Sequence, residues 1–560
     1  MLDRIKSEIA KSVAKKLSAE KKLKAVIKEN IEIAKVKDAD LALPCFVLAK
    51  ELKEEPKKIA KKLVGVKGRF IEESFAVGPY LNFKLNLEDI LAELKKYEFK
   101  AKRKKKRIMI EYSSPNSNKP LHLGHLRNDS LGMALSNLYE FFGYEVIRAN
   151  LVNDRGIHIC KAMLAYKFFG KGKTPKSEKK KPDHFVGDYY VLFEKKKQEM
   201  PQLEKQAREM LKKWEAKDKE TRKLWQKIKN YWLEGAKETY KRIGSKFDVW
   251  FFESEFYDKA KPLIEKGIKK GVFKVREDGA IYAELEPELP NKIVLRADGT
   301  SVYATNDLAL TPYKFEKYKL HEQIWLTAHE QQLYFKQMVK IFEKLGFEWA
   351  KRCKHIWYGL VLLPHGKMKS REGTVVDADD LIEEVKELAI NEIKKRYPNL
   401  TKTELNRRAE IIALAAIKFM LLKIETKKEI MFRPKESVSF DGETGPYILY
   451  SLARAKSILR KAKAKKRKKS KELINDTEKE LIKVFLEFED ALNNCMRNHS
   501  MHHLAQFLIK LCEAFNSFYH QQQVIEQNYV HKQRLELVEQ FVRFVEFSLK
   551  ILNIDYLEEM

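Results

Sequence analysis

Two histidines with phosphate-binding potential, His122 and His125, stand on either side of a leucine and a glycine at the start of an amphipathic helix. The polar loop that carries them follows a short apolar run. A loop between the carboxyl end of a strand and a helix is where open parallel sheets bind ligands, and the helix N-terminus favours an anion. Both imidazoles can donate to phosphate oxygens, and Gly124 lets a nucleotide approach the backbone. The spacing predicts nucleotide chemistry; helix caps or core residues are the alternative.

Two further stretches carry groups suited to the same chemistry. Residues 303–307 read Tyr-Ala-Thr-Asn-Asp, and residues 367–373 read Lys-Met-Lys-Ser-Arg-Glu-Gly. A lysine in a loop can follow a departing pyrophosphate as a point charge. A histidine pair alone is a weak motif, but its combination with a Lys-Met loop far downstream is specific.

Predicted strands and helices alternate around these motifs. The strands fall at 108–110, 146–152, 249–252, 280–283, 292–295, 323–328 and 357–363. A turn, a short strand and a helix are predicted over 296–307. Alternation on this scale indicates a parallel sheet covered on both faces by helices. Residues 185–240 are highly charged and helical in pattern, which predicts an insertion between two halves of the sheet.

The predicted fold class is α/β, a Rossmann-like parallel-sheet catalytic domain with an insertion, a small α+β N-terminal domain and an all-α C-terminal bundle. A surface helix is predicted over about 1–35, and a turn and strand over 75–85. From about residue 380 onward the apolar spacing is helical. We expect the domains to span 1–100, 101–184, 185–243, 244–385 and 386–560.

Composition points to a polyanionic partner. The 560 residues carry a formal charge of +31, with 44% hydrophobic and 34% charged side chains. Such a chain can bury several cores and is not a disordered tail. A basic excess of this size favours nucleic acid. A lysine-rich source proteome would give the same excess and is the alternative.

The cysteines indicate a reducing compartment. They are odd in number and form no CxxC pair, which favours the cytoplasm and argues against a structural zinc: Cys45, Cys160, Cys353, Cys495 and Cys512. No run approaches the roughly 18 apolar residues of a spanning helix, and the first residues lack a signal-peptide core. We expect a cytoplasmic monomer with no membrane partner.

Taken together, these motifs resemble those of class I aminoacyl-tRNA synthetases and, more narrowly, of arginyl-tRNA synthetases. The family's Ser-Ser-Pro-Asn-x-x-Lys-Pro-x-His-x-Gly-His-Leu-Arg run is matched over 113–127, and its Asn-Asp-x-Gly stretch over 153–156. Its Asp-Gly-Thr-x-x-Tyr-Ala-Thr-x-Asp run is matched over 298–307, and its Thr-Gly-Pro-Tyr…Ala-Arg run over 444–454. The resemblance extends from about residue 75 to the last residue.

The resemblance implies a ligase that uses ATP and Mg²⁺ to form arginyl-adenylate and then transfers L-arginine to tRNA(Arg), releasing AMP and pyrophosphate. Activation builds charge on phosphate oxygens, so positioning and neutralising that charge is the task of the protein. The residues implied to hold ATP are Lys119, His122, Gly124, His125, Lys367 and Met368. Four of them are implied to be catalytic: Lys119, His122, His125 and Lys367.

Arginine recognition needs planar carboxylates, because a guanidinium presents five fixed donors. The sequence offers Glu111 and Asp307, each at the edge of a predicted strand, with Tyr303 one strand face away. The resemblance implies that these three hold the side chain. It implies that the amino and carboxylate end is held by Ser114, Asn116 and Gln331, with Pro115 and His125 beside them. For Asp307 alone, a helix N-cap is the alternative.

Contacts with tRNA are expected at both ends of the chain. Alternation puts Tyr80, Asn82 and Lys84 on one strand face, which suits an unpaired base or is simply the wet side of a small sheet. The resemblance implies that Tyr80 and Asn82 read a base in the tRNA elbow. The C-terminal bundle would bind the anticodon arm, with three possible contacts: Tyr447, Tyr450 and Arg454. Basic runs at 100–107 and 461–471 would add salt-dependent affinity.

Two other functions compete with this interpretation. A cysteine-specific synthetase with a similar bundle would need a zinc that selects the thiolate, and the scattered cysteines offer no such site. A catalytically silent tRNA-binding protein would tolerate loss of the catalytic set, yet all four residues are intact.

The Lys-Met loop departs from the family pattern, since Lys369 replaces its first serine and its second lysine is missing. Many arginine enzymes lack that lysine, and a lysine before the histidine pair, here Lys119, is thought to substitute. We predict that Lys119→Ala slows adenylate formation, measured by pyrophosphate exchange, far more than Lys369→Ala. Equal effects would contradict this assignment.

Overall fold

The structure is a computed structural model that describes residues 1–18, 21–36, 38–100, 103–364, 376–468 and 475–560. A small N-terminal unit, a central parallel sheet with its insertion, and a C-terminal helical bundle follow one another along the chain. The predicted fold class is therefore confirmed. No helix among the described residues combines the length and apolar character that crossing a membrane requires.

The N-terminal unit packs helices against one antiparallel sheet, in the strand order β1-β2-β4-β3. Its elements are α1 (Leu2–Lys16), α2 (Lys21–Asn30), β1 (Glu32–Ile33), β2 (Leu41–Pro44), α3 (Phe46–Leu52), α4 (Pro56–Leu63), β3 (Ile71–Val77), β4 (Tyr80–Leu85) and α5 (Leu87–Lys96). The single helix predicted over 1–35 is thus two helices, and residues 75–77 belong to a strand where a turn was predicted.

Strand β4 corrects the predicted wet face. Tyr80 and Lys84 are half-buried, but Asn82 is only 2% exposed. Because β4 lies inside the sheet, Asn82 is flanked by Ala42 on β2 and Phe75 on β3. A period-two pattern assigns a residue to a face, but it does not show how far neighbouring strands enclose that face.

The catalytic region is built on five parallel strands in the order β12-β11-β5-β6-β7. They are β5 (Arg107–Glu111), β6 (Glu145–Val152), β7 (Val249–Phe252), β11 (Glu322–Ala328) and β12 (Cys353–Tyr358). The chain builds the sheet from β5 outward to β7 on one side, and then from β11 to β12 on the other side. This is the doubly wound arrangement, and the strand order reverses between β5 and β11. Ligands bind in such sheets at the carboxyl ends of the strands beside the reversal, which here are Glu111 and Ala328.

Helices and a second, antiparallel sheet complete this region. The connecting elements are α6 (Leu123–Phe141), α7 (Ile157–Ala165), α11 (Lys261–Lys269), β8 (Phe273–Val275), β9 (Ile281–Ala283), β10 (Lys292–Leu295), α12 (Tyr303–Tyr318) and α13 (Gln332–Leu345). The inserted segment folds into α8 (Pro182–Glu199), α9 (Gln202–Glu215) and α10 (Lys219–Ile243). The predicted strands at 280–283 and 292–295 do not join the parallel sheet; they pair with β8 in the order β10-β9-β8.

Residues 296–307 also differ from their prediction. The short strand expected there is replaced by a turn with one isolated bridge, between Leu295 and Ser301, and α12 then begins at Tyr303. Asp307 therefore lies on a helix and not at a strand edge. It is not the N-cap either, since Val302 holds that position.

The C-terminal region is a helical bundle with a few two-stranded contacts. Its elements are β13 (Val361–Leu362), α14 (Ala378–Arg396), α15 (Lys402–Leu422), β14 (Ile430–Met431), α16 (Pro434–Ser437), α17 (Gly445–Ala462), β15 (Lys466–Lys468), α18 (Asp476–Leu486), α19 (Phe488–Asn498), α20 (His502–Gln521), β16 (Tyr529–His531) and α21 (Lys532–Ile551). Its apolar core is continuous with that of the N-terminal unit and of the face of the sheet covered by α6.

Helix α6 lies very close to β5, and one glycine permits this approach. A Cβ atom at Gly132 would lie 2.3 Å from the ring of Tyr112, a contact that real side chains do not make. Tyr112 is fully buried and its hydroxyl donates to the carbonyl of Lys246. The helix that begins with the histidine pair is therefore fixed against the strand that precedes it.

Candidate active site

The loop between β5 and α6 has a strained backbone held by surrounding polar side chains. Ser113 and Ser114 both have positive φ angles, 70° and 46°, which are uncommon for residues with a side chain. The Ser113 amide donates to Asn128 Oδ1 at 2.8 Å, and its hydroxyl donates to Asp129 Oδ2 at 3.0 Å. The Ser114 amide donates to Asn150 Oδ1 at 3.2 Å. Helix α6 and strand β6 thus impose the shape of the loop.

The two histidines form a reciprocal cap on α6. The His122 ring accepts a hydrogen bond at Nδ1 from the Gly124 amide, and the His125 ring accepts one at Nδ1 from the His122 amide, each at 3.1 Å. A Cβ atom at Gly124 would lie 2.9 Å from the His122 ring, so glycine is required for this arrangement. Because both Nδ1 atoms accept, each neutral ring carries its proton on Nε2. Capping therefore orients two donors and does not exclude a role in chemistry.

Lys119 lies close enough to this pair for its charge to act on both rings. Burial and, to a smaller extent, the charge of Lys119 together lower the pKa of His122 to about 4. Burial, His122 and Lys119 together hold the pKa of His125 well below its ordinary value. The backbone of Lys119 is fixed by Trp232 of the insertion, whose Nε1 donates to its carbonyl at 2.9 Å. Near neutral pH the site therefore combines two neutral donors with one ammonium.

The segment that follows the Lys-Met loop pairs with the histidine motif. Leu123 donates to the carbonyl of Val376 at 2.9 Å, and Ala378 donates to that of Leu121 at 3.0 Å. This pairing places residues 376–378 beside the start of α6. Lys367 and Met368 themselves lie outside the described residues.

An acidic pocket lies near the carboxyl ends of the strands. Glu111 is buried and forms an ion pair with Lys314 of α12, which is 0% exposed. The Tyr334 hydroxyl donates to the Asp307 carboxylate. Burial, opposed by the Tyr334 hydrogen bond and supported by the charge of Glu111, raises the pKa of Asp307 to about 6. Burial likewise raises the pKa of Glu253 to about 8; the nearby charge of Arg155 opposes this shift, and neighbouring carboxylates add to it.

This pocket is suited to a cationic group. A cation that enters the pocket lowers the raised pKa values of these carboxylates and so favours their ionised form, because it offsets their desolvation and mutual repulsion. The Asn153 side-chain amide spans the pocket, 2.7 Å from the Glu253 carboxylate and 3.3 Å from the Tyr303 hydroxyl. Lys314 already neutralises Glu111, and Glu253 with a pKa of about 8 is mostly protonated at neutral pH, so Asp307 is the carboxylate that offers a charge before a cation binds.

Several residues of the pocket were absent from the sequence prediction. Glu253 directly follows β7, and the rule that ligands bind at strand carboxyl ends would have found it. Tyr334 and Lys314 lie on helices, and no motif distinguishes them. The residues predicted from the sequence to hold arginine differ in their exposure. Tyr303 is 63% exposed, and Asn116 and Gln331 are also exposed, whereas Ser114 is half-buried and Pro115 is buried.

The residues predicted to contact tRNA lie at two surfaces. Tyr80 packs edge-on against Phe46, with 6.1 Å between ring centroids. On α17, the Arg454 guanidinium lies over the rings of Tyr450, at 4.9 Å, and of Tyr519 on α20, at 4.6 Å. The Tyr447 hydroxyl accepts from Asn516 at 3.0 Å. Tyr447 and Arg454 therefore both contact residues of α20.

One carboxylate–imidazole cluster has the spacing of a metal site, formed by Asp183, His184 and Asp379. The Lys181 ammonium lies between its carboxylates, 3.0 Å from Asp183 and 2.8 Å from Asp379. An ammonium in that place supplies the positive charge that a metal ion would bring. We interpret the cluster as an ion-pair network that joins α8 to the start of α14.

The doubly wound sheet and the histidine motif at its reversal point define the catalytic domain of a class I tRNA synthetase. The family model described as tRNA synthetases class I (R), catalytic domain, matches residues 86–433. An arginyl tRNA synthetase N terminal domain matches residues 3–85, and a DALR anticodon binding domain matches residues 448–560. The chain belongs to the arginyl-tRNA synthetase family.

Individual relatives agree with this assignment. The chain is 43% identical to an arginine–tRNA ligase of Treponema denticola over 507 residues, which covers 86% of this chain and 85% of that protein. It is 37% identical to the arginine–tRNA ligase of Borreliella burgdorferi over 558 residues, 95% of each chain. The structure matches Thermus thermophilus arginyl-tRNA synthetase with a TM-score of 0.79 and 26% identity, covering 100% of both chains.

Proposed function

We propose that this chain is an arginine–tRNA ligase that activates L-arginine with ATP and transfers it to tRNA(Arg). The observation that carries the proposal is the pairing of two sites beside the reversal point of the sheet. Neutral imidazole donors and Lys119 suit the phosphates of ATP, and an acidic pocket suits a guanidinium. A phosphate site and a cation site on one loop–sheet edge are what the joining of arginine to AMP requires.

Roles for individual residues follow from this arrangement. His122 and His125 donate from Nε2 to phosphate oxygens, and Lys119 offsets the charge that builds there as pyrophosphate leaves. Asp307 and Glu253 face the guanidinium, with Glu111, Tyr303 and Tyr334 completing the pocket. The amino and carboxylate end lies toward Ser114, Pro115, Asn116 and Gln331, and ATP lies toward Gly124, Lys367 and Met368. Mg²⁺ enters with the phosphates as part of the substrate.

The same proposal covers the partners and the compartment. Tyr80 and Asn82 are proposed for the tRNA elbow, and Tyr447, Tyr450 and Arg454 for the anticodon arm. The five cysteines are free and buried, which suits the reducing cytoplasm where we place the enzyme. One chain carries both parts of the site, so we propose a monomer. Domain limits at 1–100, 101–184, 185–243, 244–385 and 386–560 are part of the proposal.

Charging of total tRNA with each radiolabelled amino acid tests the function directly. We expect arginine alone to be transferred, because lysine presents a single ammonium where the pocket accepts a planar fork. Pyrophosphate exchange with arginine, measured with and without tRNA, separates activation from transfer. Failure of arginine in both assays would refute the proposal.

Replacing His122 by asparagine separates its cap from its chemistry. Asparagine is a strong N-cap, so the start of α6 is kept while the Nε2 donor is lost. We expect the midpoint of thermal unfolding to stay unchanged, and adenylate formation to slow about 100-fold, the usual cost of one transition-state donor. His122→Ala, which loses both, should lower the melting temperature as well. If the His122→Asn enzyme were fully active, His122 would act only as a helix cap and not in the chemistry.

Arginine binding should release protons near neutral pH. The pKa of Asp307 is about 6 and that of Glu253 about 8, and a guanidinium beside them lowers both. Since the bound state holds fewer protons, arginine affinity should rise between pH 6 and pH 8. Calorimetry in two buffers of different ionisation enthalpy measures the release, and Glu253→Gln should remove most of it. Affinity that falls over this range would contradict the pocket assignment.

A further inference from the structure

One face of helix α10, in the inserted segment, carries three side chains that reach both halves of the active site. Trp225, Lys229 and Trp232 are spaced four and three residues apart, so they lie on the same side of the helix. All three are buried. Their polar atoms contact the loop that bears the histidine pair and the strand ends around the acidic pocket.

On the phosphate side, Trp232 fixes the residue that the proposed function places beside ATP. Its Nε1 donates to the Lys119 carbonyl at 2.9 Å. The next residue is Pro120, and α8 packs so closely against it that a Cβ atom at Gly187 would lie 2.8 Å from its ring. Proline has a fixed φ angle. The backbone that carries the Lys119 ammonium is therefore held by two helices of the insertion, α8 and α10.

On the guanidinium side, Lys229 and Trp225 hold Asp154. The Asp154 carboxylate is 0% exposed and lies 2.7 Å from the Lys229 ammonium, and the Asp154 carbonyl accepts from Trp225 Nε1 at 2.6 Å. The same carboxylate accepts from the amide of Ser254 at 2.9 Å and from its hydroxyl at 2.7 Å. Because Ser254 directly follows Glu253, Asp154 connects α10 to the backbone of a pocket carboxylate.

The Lys229 ammonium also contacts the residue on the other side of Glu253. It lies 3.7 Å from the centre of the Phe252 ring, which is a cation–π distance. Glu253 is therefore flanked by two residues that the Lys229–Asp154 pair contacts. A buried ion pair contributes little net stability, because desolvation offsets its attraction, but it fixes the geometry of the groups that it joins.

A neighbouring tryptophan shows that a buried indole in this insertion does not require a hydrogen-bond partner. Trp214 on α9 is 1% exposed, and Trp232 is 0% exposed. Yet Trp214 Nε1 has no hydrogen-bond partner among the described residues. The fold therefore accommodates an unpaired indole donor. The donors of Trp225 and Trp232 instead reach two main-chain carbonyls of the site.

We propose that the face formed by Trp225, Lys229 and Trp232 positions the phosphate site and the guanidinium pocket relative to each other. The inference rests on the proposed function, and it gives the inserted helices a role in arginine activation. The three are positioning residues, since they act through Lys119 and Glu253. Attack of the arginine carboxylate on ATP needs both parts of the site in register, and a displacement of about 1 Å can slow such a reaction about 100-fold.

Two variants separate the two sides of the site. Trp232→Phe keeps a ring and loses the donor to Lys119, so we expect kcat for arginine-dependent pyrophosphate exchange to fall about tenfold at an unchanged KM for arginine. Lys229→Met keeps the stem and removes the ammonium beside Asp154, so the KM for arginine should rise about tenfold with little change in kcat. Trp225→Phe removes a donor and no charge. It should raise the same KM by less, and it decides the question if Lys229→Met does not fold.

Trp214→Phe is the matched control, because it removes an indole donor that has no partner among the described residues. Both constants should keep their wild-type values in this variant. A double-mutant cycle tests the route through Glu253: the effect of Lys229→Met on the arginine KM should largely disappear in a Glu253→Gln background, because coupled residues are not additive. Additive effects in this cycle, or a Trp214→Phe enzyme as impaired as Trp232→Phe, would overturn the proposal.

Hydrogen–deuterium exchange of the unliganded chain keeps this inference separable from the proposed function. Trp232→Phe should speed exchange at the amides of residues 116–119, and Lys229→Met at those of 153–156 and 253–256, while Trp214→Phe changes neither. A wild-type chain that charges no tRNA with arginine, but shows these local changes, would refute the function and leave the positioning contacts intact. A chain that charges tRNA normally, and whose Trp232→Phe and Lys229→Met variants keep wild-type constants, would do the reverse.

Discussion

The loop between β5 and α6 depends on side chains of the helix that it enters. Asn128 accepts from the Ser113 amide, and its own amide donates to the carbonyl of Leu326 and to the hydroxyl of Tyr358 at 3.0 Å each. One residue on α6 therefore ties the loop to the two strands on the other side of the reversal point. This contact helps to position both the histidine pair and the acidic pocket, because the histidines begin the same helix and the pocket lies around the same strand ends.

Burial shifts the titrating groups on both sides of the site toward their neutral forms. Two buried histidines stay neutral beside Lys119, and carboxylates are held together with raised pKa values. Neutral imidazole donors beside Lys119 suit an anion, and carboxylates whose raised pKa values fall when a cation approaches suit a cation. Substrates that bring those charges gain more from the site than they would from the same groups in water, because burial strengthens the interaction.

Arg127 links this helix to the bundle. Its guanidinium is fully buried and donates to the carbonyls of Thr426 and Lys428 at 2.8 Å and of Leu360 at 3.3 Å. The Thr426 carbonyl accepts from the Gly359 amide as well as from Arg127. The Thr426 amide donates to Ser500 Oγ at 3.0 Å. Ser500 also contacts His502 at the start of α20. A continuous set of hydrogen bonds thus runs from α20 of the bundle to α6.

The sequence by itself determined the family, the fold class and the close placement of Lys119, His122 and His125, since these depend on local spacing at a strand–helix junction. It also predicted that Glu111 and Asp307 hold the arginine side chain, but put Asp307 at a strand edge, because periodicity cannot separate a short strand from the first turn of a helix. Only the tertiary structure decided that Asn82 is enclosed, that Lys314 neutralises Glu111, and that Glu253 and Tyr334 join the pocket. Burial and pairing depend on residues far apart in the chain, and no local pattern records which of them meet.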